Sequence, residues 1–278
     1  MNLFLDVLIV IGVSAVAITA MLVVRRRAPE GSFFNDGDRA AGVFGVLATG
    51  FAVLGGFVVF LAFDSYDAAR SGAEDEALIV SQQVETAQFF PAPADRELTA
   101  QLVCYARSVV GVQWDRMENG TLGEDLNPWA GQMFHTLQTV EPRTPTEQSA
   151  YDTWMSQRQA REAARNDRVH GAVGVIPAPL WVVLIFTSGL IFVYMLFFAD
   201  SGERAVVQAM LMGTVVSVVT SMLLLLGLLN NPFHDGIGGL RPVAMERALQ
   251  VVQQEMQIAH ADAVPPCDAR GDAKPADR

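Results

Sequence analysis

The stretch from residue 179 to residue 229 reads PLWVVLIFTSGLIFVYMLFFADSGERAVVQAMLMGTVVSVVTSMLLLLGLL. A helix needs about 20 mostly apolar residues to cross the hydrocarbon core of a bilayer. This stretch contains two such segments, at residues 179–199 and 205–229, and only the polar residues 200–204 separate them. It therefore predicts two membrane-spanning helices joined in a tight antiparallel hairpin.

Two more apolar blocks lie nearer the amino terminus, at residues 3–24 and 41–63. Three arginines, Arg25 to Arg27, follow the first block and no basic segment precedes it, which is typical of a membrane anchor rather than a cleaved signal peptide. Over the whole chain 51% of residues are hydrophobic. We predict an all-α polytopic membrane protein with four transmembrane helices, in which residues 1–63 form the first pair and residues 177–230 the second hairpin.

Residues 64–176, between the second and third spans, are predicted to form a helical extramembrane domain. The second span is expected to continue into it as one long helix, because no proline occurs between Phe63 and Phe90. Four acidic residues would keep this extension exposed to water: Glu74, Asp75, Glu76 and Glu85.

Three further helices are predicted in this domain, at residues 95–119, 128–140 and 146–170. The first carries apolar residues at spacings of three and four, which predicts one buried face. That face consists of Leu98, Leu102, Tyr105, Val109 and Val112. No segment alternates with a period of two for long enough to predict a strand, so we expect an all-helical bundle.

The chain after the fourth span divides into two predicted segments. Residues 231–261 contain a turn and then an amphipathic helix from Val243 to His260. Residues 262–278 are rich in proline, charged and small residues, which predicts a disordered tail.

The two cysteines, Cys104 and Cys267, lie far apart and form no metal-ligand spacing. This argues against a zinc site and against a disulfide framework. We expect Cys104 to be a small buried apolar residue and Cys267 a free thiol in the tail, although a disulfide is chemically possible on the periplasmic side of a membrane.

The distribution of charge bears on partners and on orientation. The formal net charge is -11 and no basic stripe exists, which excludes nucleic acid as a partner. Arginines near span ends favour the cytoplasmic side. Because Arg25 to Arg27, Arg39 and Arg204 lie in the two short loops, we predict that the domain and both termini lie on the outer side of a bacterial inner membrane.

Motifs of common enzymes are missing from the sequence, and the four histidines are scattered. We therefore expect no enzymatic activity, no cofactor and no metal site. Charges are almost absent from the spans, which disfavours a proton-coupled transporter.

The second span offers candidates for an ion pathway, since a ring of such residues from several subunits could form a hydrophobic neck that gates by dewetting. The alternative is plain helix packing and lipid contact. The pore candidates are Thr49, Gly50, Phe51, Leu54, Phe57 and Phe60.

Four segments, in this order and spacing, resemble a known family: Gly50–Tyr66, Trp114–Met117, Pro177–Trp181 and Leu229–Phe233. The chain is similar to the bacterial bestrophin-like membrane proteins from Ala41 to about Gln250. The family-motif positions are Trp114, Pro179, Trp181, Asn230, Pro232 and Phe233. Asn230 stands where the family often has aspartate, which argues against an ionic role at that position.

The resemblance implies kinship with bestrophins, which are oligomeric, mostly anion-selective channels with four membrane helices per subunit. It implies a homo-oligomer embedded in lipid and small anions as ligands. It also implies cytoplasmic termini, opposite to the orientation that the arginines predict. The alternative function is a non-conducting membrane scaffold or envelope sensor whose acidic helical domain binds a partner.

Overall fold

The computed structural model describes residues 3–121, 127–258 and 264–274. Within these ranges the chain forms nine α-helices and one π-helical turn, and the only β contact is an isolated bridge between Cys267 and Ala273. The prediction of an all-α protein is therefore confirmed.

Four of the helices are long and apolar enough to cross a membrane, as predicted. Helix α2 is one continuous helix, so the predicted extension of the second span is confirmed. The four are α1 (Leu3–Arg25), α2 (Gly37–Ala87), α7 (Ala178–Phe197) and α8 (Ala205–Leu229).

The remaining helices follow the predicted bounds closely. Helix α6 begins one residue earlier than predicted, because Thr144 and Glu147 form a reciprocal capping box around its first turn. The helices are α3 (Ala94–Ser108), the π-helical turn (Val109–Gln113), α4 (Trp114–Glu118), α5 (Pro128–Gln138), α6 (Pro145–His170) and α9 (Val243–Ile258). His260, at the predicted end of the last helix, lies outside the described residues.

The chain divides into two compact units. Unit 1 comprises Met1–Ser65, Gly174–Asn230 and Asp235–Gly238. Unit 2 comprises Tyr66–Val173, Asn231–His234 and Gly239–Arg278.

Unit 1 contains the apolar helices, and a few polar contacts join them. The hydroxyls of Ser14 and Ser217 are 2.9 Å apart and join α1 to α8. In the short loop between α7 and α8, the carboxylate of Asp200 accepts hydrogen bonds from the backbone N–H groups of Gly202 and Gly31. These N–H groups lower the pKa of Asp200 and connect the two short loops.

Unit 2 has a core that buries the apolar face predicted for α3 and the π-helical turn after it. Leu98, Leu102, Tyr105 and Val109 are inaccessible or nearly so, and Val112 is half-buried. They pack with side chains from α5, α6 and α9, including Trp129 and Trp154.

The carboxy-terminal segment differs from its prediction. The expectation of a free Cys267 thiol is wrong, because Cys267 forms a disulfide with Cys104 and both side chains are fully buried. Residues 264–274 accordingly have a defined conformation where a disordered tail was predicted. The composition of this segment favours disorder, but a covalent bond and a set of hydrogen bonds hold it on unit 2.

Three contacts beside the disulfide fix this segment. The indole N–H of Trp129 donates to the backbone carbonyl of Gly271 at 2.7 Å. Arg270 forms an ion pair of 2.7 Å with Asp115. Gly271 has a φ of +85° and lies directly against the backbone of Ser108, so a side chain at this position would clash.

Candidate functional site

The part of α2 that belongs to unit 1 has one face that its own chain leaves uncovered. Thr49 and Gly50 are exposed, and Phe57 and Phe60 are 62% and 63% exposed. At 3.6 residues per turn, positions 49, 50, 57 and 60 fall within about 100° of one another around the helix axis, so they lie on one side of the helix. Such an aromatic and apolar face contacts either lipid or another protein chain.

The other two pore candidates lie on the opposite side of the helix. Phe51 is only 7% exposed and packs with Leu184 and Leu226, and Leu54 is half-buried against the same cluster. Phe51 and Leu54 therefore stabilise the packing of the apolar helices within one subunit. The structure brings together four of the six candidates on the uncovered face.

Small residues also divide between these two sides. Gly55 is the point of close approach to α8, since a Cβ atom there would overlap the side chain of Met222. Gly45, Gly50 and Gly56 have open space where a side chain would be. Those three glycines remain available for close contact with a helix of another chain.

The uncovered face carries no formal charge along the apolar stretch. Between Arg39 and Asp64, α2 contains no acidic or basic residue. An ion passing this face would meet aromatic rings, a threonine hydroxyl and glycine backbone. In a pore, a surface of this kind would act on ions through hydration rather than through charge pairing.

The family-motif positions in unit 2 form part of its core. The rings of Trp114 and Phe233 meet edge to face with their centroids 5.2 Å apart, and both side chains are buried. Pro232, which precedes Phe233 in the sequence, is also buried. These residues stabilise the fold and are closed to solvent.

The motif positions in unit 1 fix the entrance and exit of the second hairpin. The side-chain oxygen of Asn230 accepts a hydrogen bond of 2.8 Å from the backbone N–H of Ile176. Pro179 lies in the first turn of α7, and Trp181 is half-buried in the apolar helix packing. Asn230 thus has a neutral structural role, which an amide performs as well as a carboxylate.

Sequence reasoning missed a buried polar network in unit 2. Arg168 forms a two-point ion pair with Glu76, and its Nη2 atom lies 3.1 Å from Oε1 of Glu76. The hydroxyl of Tyr105 donates to the same carboxylate at 2.6 Å, and Gln113 accepts a further hydrogen bond from Arg168. All three charged or phenolic side chains are inaccessible to solvent.

The network shifts the acidity of two of its members. Burial raises the pKa of Tyr105 well above its usual value, and the neighbouring Glu76 carboxylate raises it further. Burial alone would lower the pKa of Arg168, but the Glu76 carboxylate outweighs it and the pKa is raised. Both groups therefore stay protonated at physiological pH.

A second arginine lies beside this network. Arg161 donates to Oε1 of Gln83 at 2.6 Å, and its guanidinium stacks 4.7 Å from the ring centre of Tyr105.

The prediction that Glu76 is exposed is wrong, while Glu74, Asp75 and Glu85 are exposed as predicted.

Comparison with known proteins identifies the family. Residues 11–242 match the Bestrophin-like domain. The fold is similar to crystal structures of variants of a bacterial bestrophin homologue from Klebsiella pneumoniae. The first has a TM-score of 0.68 and is 15% identical in sequence; the match covers 91% of this chain and 98% of that chain. The second has a TM-score of 0.66 and is 15% identical in sequence; the match covers 90% of this chain and 98% of that chain. No curated protein matches the chain.

Proposed function

The chain belongs to the bestrophin-like family, and from this premise we propose that it is the subunit of a homo-oligomeric, anion-selective channel. The bestrophin family is known as channels and not as enzymes, and we propose no catalytic activity. The observation that carries the proposal is the uncovered face of α2, with Thr49, Gly50, Phe57 and Phe60.

A pore requires several copies of this chain. Four membrane helices are too few to enclose a path within one subunit, so a path would have to form between subunits related by closed symmetry. In such a ring the α2 faces would meet around the axis. Phe57 and Phe60 would then form an apolar neck, and Gly50 and Gly56 would permit close approach of neighbouring helices.

We propose that unit 2 and both termini lie on the outer side of a bacterial inner membrane. Two independent observations support this orientation. The arginines of the two short loops favour the cytoplasmic side for those loops. The disulfide between Cys104 and Cys267 is typical of an oxidising compartment such as the periplasm. This orientation is opposite to the one that kinship with bestrophins implies.

The test is ion flux through purified protein in liposomes, together with the subunit count by native mass spectrometry. Phe57→Ser and Phe60→Ser place a polar group at the neck, and we expect them to raise anion flux several-fold because a wetter neck conducts better. Phe186→Ser is the matched control, since Phe186 lies on α7 and is also 63% exposed. A closed ring of four or more with anion-selective flux supports the proposal.

A monomer or dimer without flux in the wild type and in all three variants would contradict the channel. That result would favour a non-conducting scaffold or sensor. The exposed acidic side chains of unit 2, such as Glu74, Asp75 and Glu85, would then be the surface for a partner.

A further inference from the structure

Unit 2 contains an open pocket of about 400 Å³ between the second part of α2 and the start of α9. Its polar lining consists of Arg70 and Glu74 from α2 and of Arg241 and Arg247 at the start of α9. Leu240 and Val243 form part of an apolar wall. The channel proposal makes no use of this pocket.

Positive charge predominates in the pocket. Arg70 is paired with Glu74, with 3.1 Å between Nε and Oε1. Among the described residues, Arg241 and Arg247 have no side-chain hydrogen bond or ion pair, and both are exposed. The described lining of the pocket thus contains three guanidinium groups and one carboxylate. The pocket is therefore locally positive in a chain whose formal net charge is -11.

Guanidinium groups around a cavity of this size favour a polyatomic anion. A guanidinium presents its N–H donors in a planar fork that matches two oxygens of a phosphate group. Three such forks can surround one phosphate, whereas a single halide ion would occupy a small fraction of about 400 Å³. The pocket is therefore matched in charge and in volume to a phosphate-bearing molecule.

We propose that this pocket is a binding site for a phosphate group, supplied by the headgroup of an anionic phospholipid or by free inorganic phosphate. The inference does not depend on ion conduction.

Two features favour the lipid source. Arg70 follows Phe63, the end of the apolar stretch, by seven residues on the same helix, which is about 10 Å at 1.5 Å per residue. The apolar wall that contains Leu240 and Val243 suits the glycerol and upper acyl region of a lipid. A soluble phosphate would gain nothing from that wall.

The experiment uses the full-length protein in mild detergent. Dioleoyl phosphatidylglycerol and sodium phosphate are the two probes, with sodium chloride at matched ionic strength as the reference. Bound lipid is counted by native mass spectrometry, and the thermal midpoint is measured with each probe. The double variant R241Q/R247Q is compared with R96Q/R143Q, which removes two exposed arginines elsewhere in unit 2.

We expect wild type and R96Q/R143Q to retain phosphatidylglycerol and to be stabilised by it, and R241Q/R247Q to bind it at least five-fold more weakly. Stabilisation by phosphatidylglycerol alone identifies a lipid headgroup, and equal stabilisation by sodium phosphate identifies the free anion. Glu74→Gln removes the only carboxylate among the described lining residues and frees Arg70, so this variant should bind the lipid several-fold more tightly. Equal binding by all four proteins would overturn the proposal, whatever the flux assay shows.

Discussion

Arg168 and Glu76 form an ion pair in which neither side chain has any contact with solvent. The two residues are 92 positions apart and join α6 to the second part of α2. Tyr105 and Gln113 complete the hydrogen bonding around the pair. Because all the donors and acceptors face one another, the charges are compensated inside the core of unit 2.

Removal of one partner should destabilise the protein strongly. Arg168→Met leaves the Glu76 carboxylate buried without a counter-charge, which costs about 3–5 kcal/mol. We expect a clear fall in the thermal midpoint in detergent. Arg70→Met is the control, since it breaks an exposed Arg–Glu pair and should leave the midpoint almost unchanged. Equal effects of the two substitutions would mean that burial of the pair is unimportant.

The raised pKa of Tyr105 predicts loss of stability in alkali. In the unfolded chain a tyrosine ionises near pH 10, whereas the buried Tyr105 keeps its proton to a higher pH. Above about pH 10 the unfolded state therefore holds fewer protons than the folded state, and stability falls as the pH rises. Tyr105→Phe should lower the midpoint at pH 8, because the bond to Glu76 is lost, and should flatten its decline between pH 10 and 11. If the thermal midpoints of wild type and Tyr105→Phe fell in parallel between pH 10 and 11, ionisation of Tyr105 would not be the cause of the alkaline loss of stability.

Gly72 marks a close contact between α2 and α6. A Cβ atom at Gly72 would lie 2.6 Å from the carbonyl oxygen of Ala164 and 2.7 Å from the backbone nitrogen of Arg168. Because backbone cannot move aside easily, Gly72→Ala should destabilise the protein by about 1–3 kcal/mol. Gly131→Ala, on the exposed side of α5 with open space around it, should instead stabilise by about 0.5–1 kcal/mol. We therefore expect the two substitutions to shift the thermal midpoint in opposite directions from the wild-type value.

The disulfide provides a direct test of orientation. Cys104→Ser releases the thiol of Cys267, because these are the only two cysteines in the chain. In intact spheroplasts we expect a membrane-impermeant maleimide to label this variant and to leave wild type unlabelled. Loss of the crosslink should also let trypsin cleave after Arg270. Labelling of the variant only after lysis would place unit 2 in the cytoplasm.

The sequence was sufficient to predict the membrane helices and most of unit 2. Apolar blocks of about 20 residues and apolar stripes of period 3.6 are local signals in a sequence. Four such apolar blocks occur here, at residues 3–24, 41–63, 179–199 and 205–229. The exposed face of α2 is different. A helix that is apolar on all sides shows no periodicity to separate Phe51 from Phe57, so the division became visible only once the neighbouring helices were placed.

Two features of unit 2 depend on contacts far apart in sequence. Glu76 resembles its exposed neighbours Glu74 and Asp75 in type, and its counter-ion lies 92 residues away. One signal was available: Glu76 follows Gly72 and precedes Val80 at helical spacing, and both belong to the packed side of α2. The pairing of Cys104 with Cys267, over 163 residues, has no local signal at all.

The disulfide between Cys104 and Cys267 also sets the order of steps in the biogenesis of the protein. The third and fourth spans lie between Cys104 and Cys267, so the bond closes a covalent ring that contains the whole second hairpin. Cys267 lies 38 residues after the end of α8 at Leu229. The disulfide can form only after the fourth span has been inserted. Only then does the segment that contains Cys267 reach the same side of the membrane as Cys104. The disulfide thus reports that insertion was completed, whereas a full-length chain whose fourth span was not inserted would keep two free thiols.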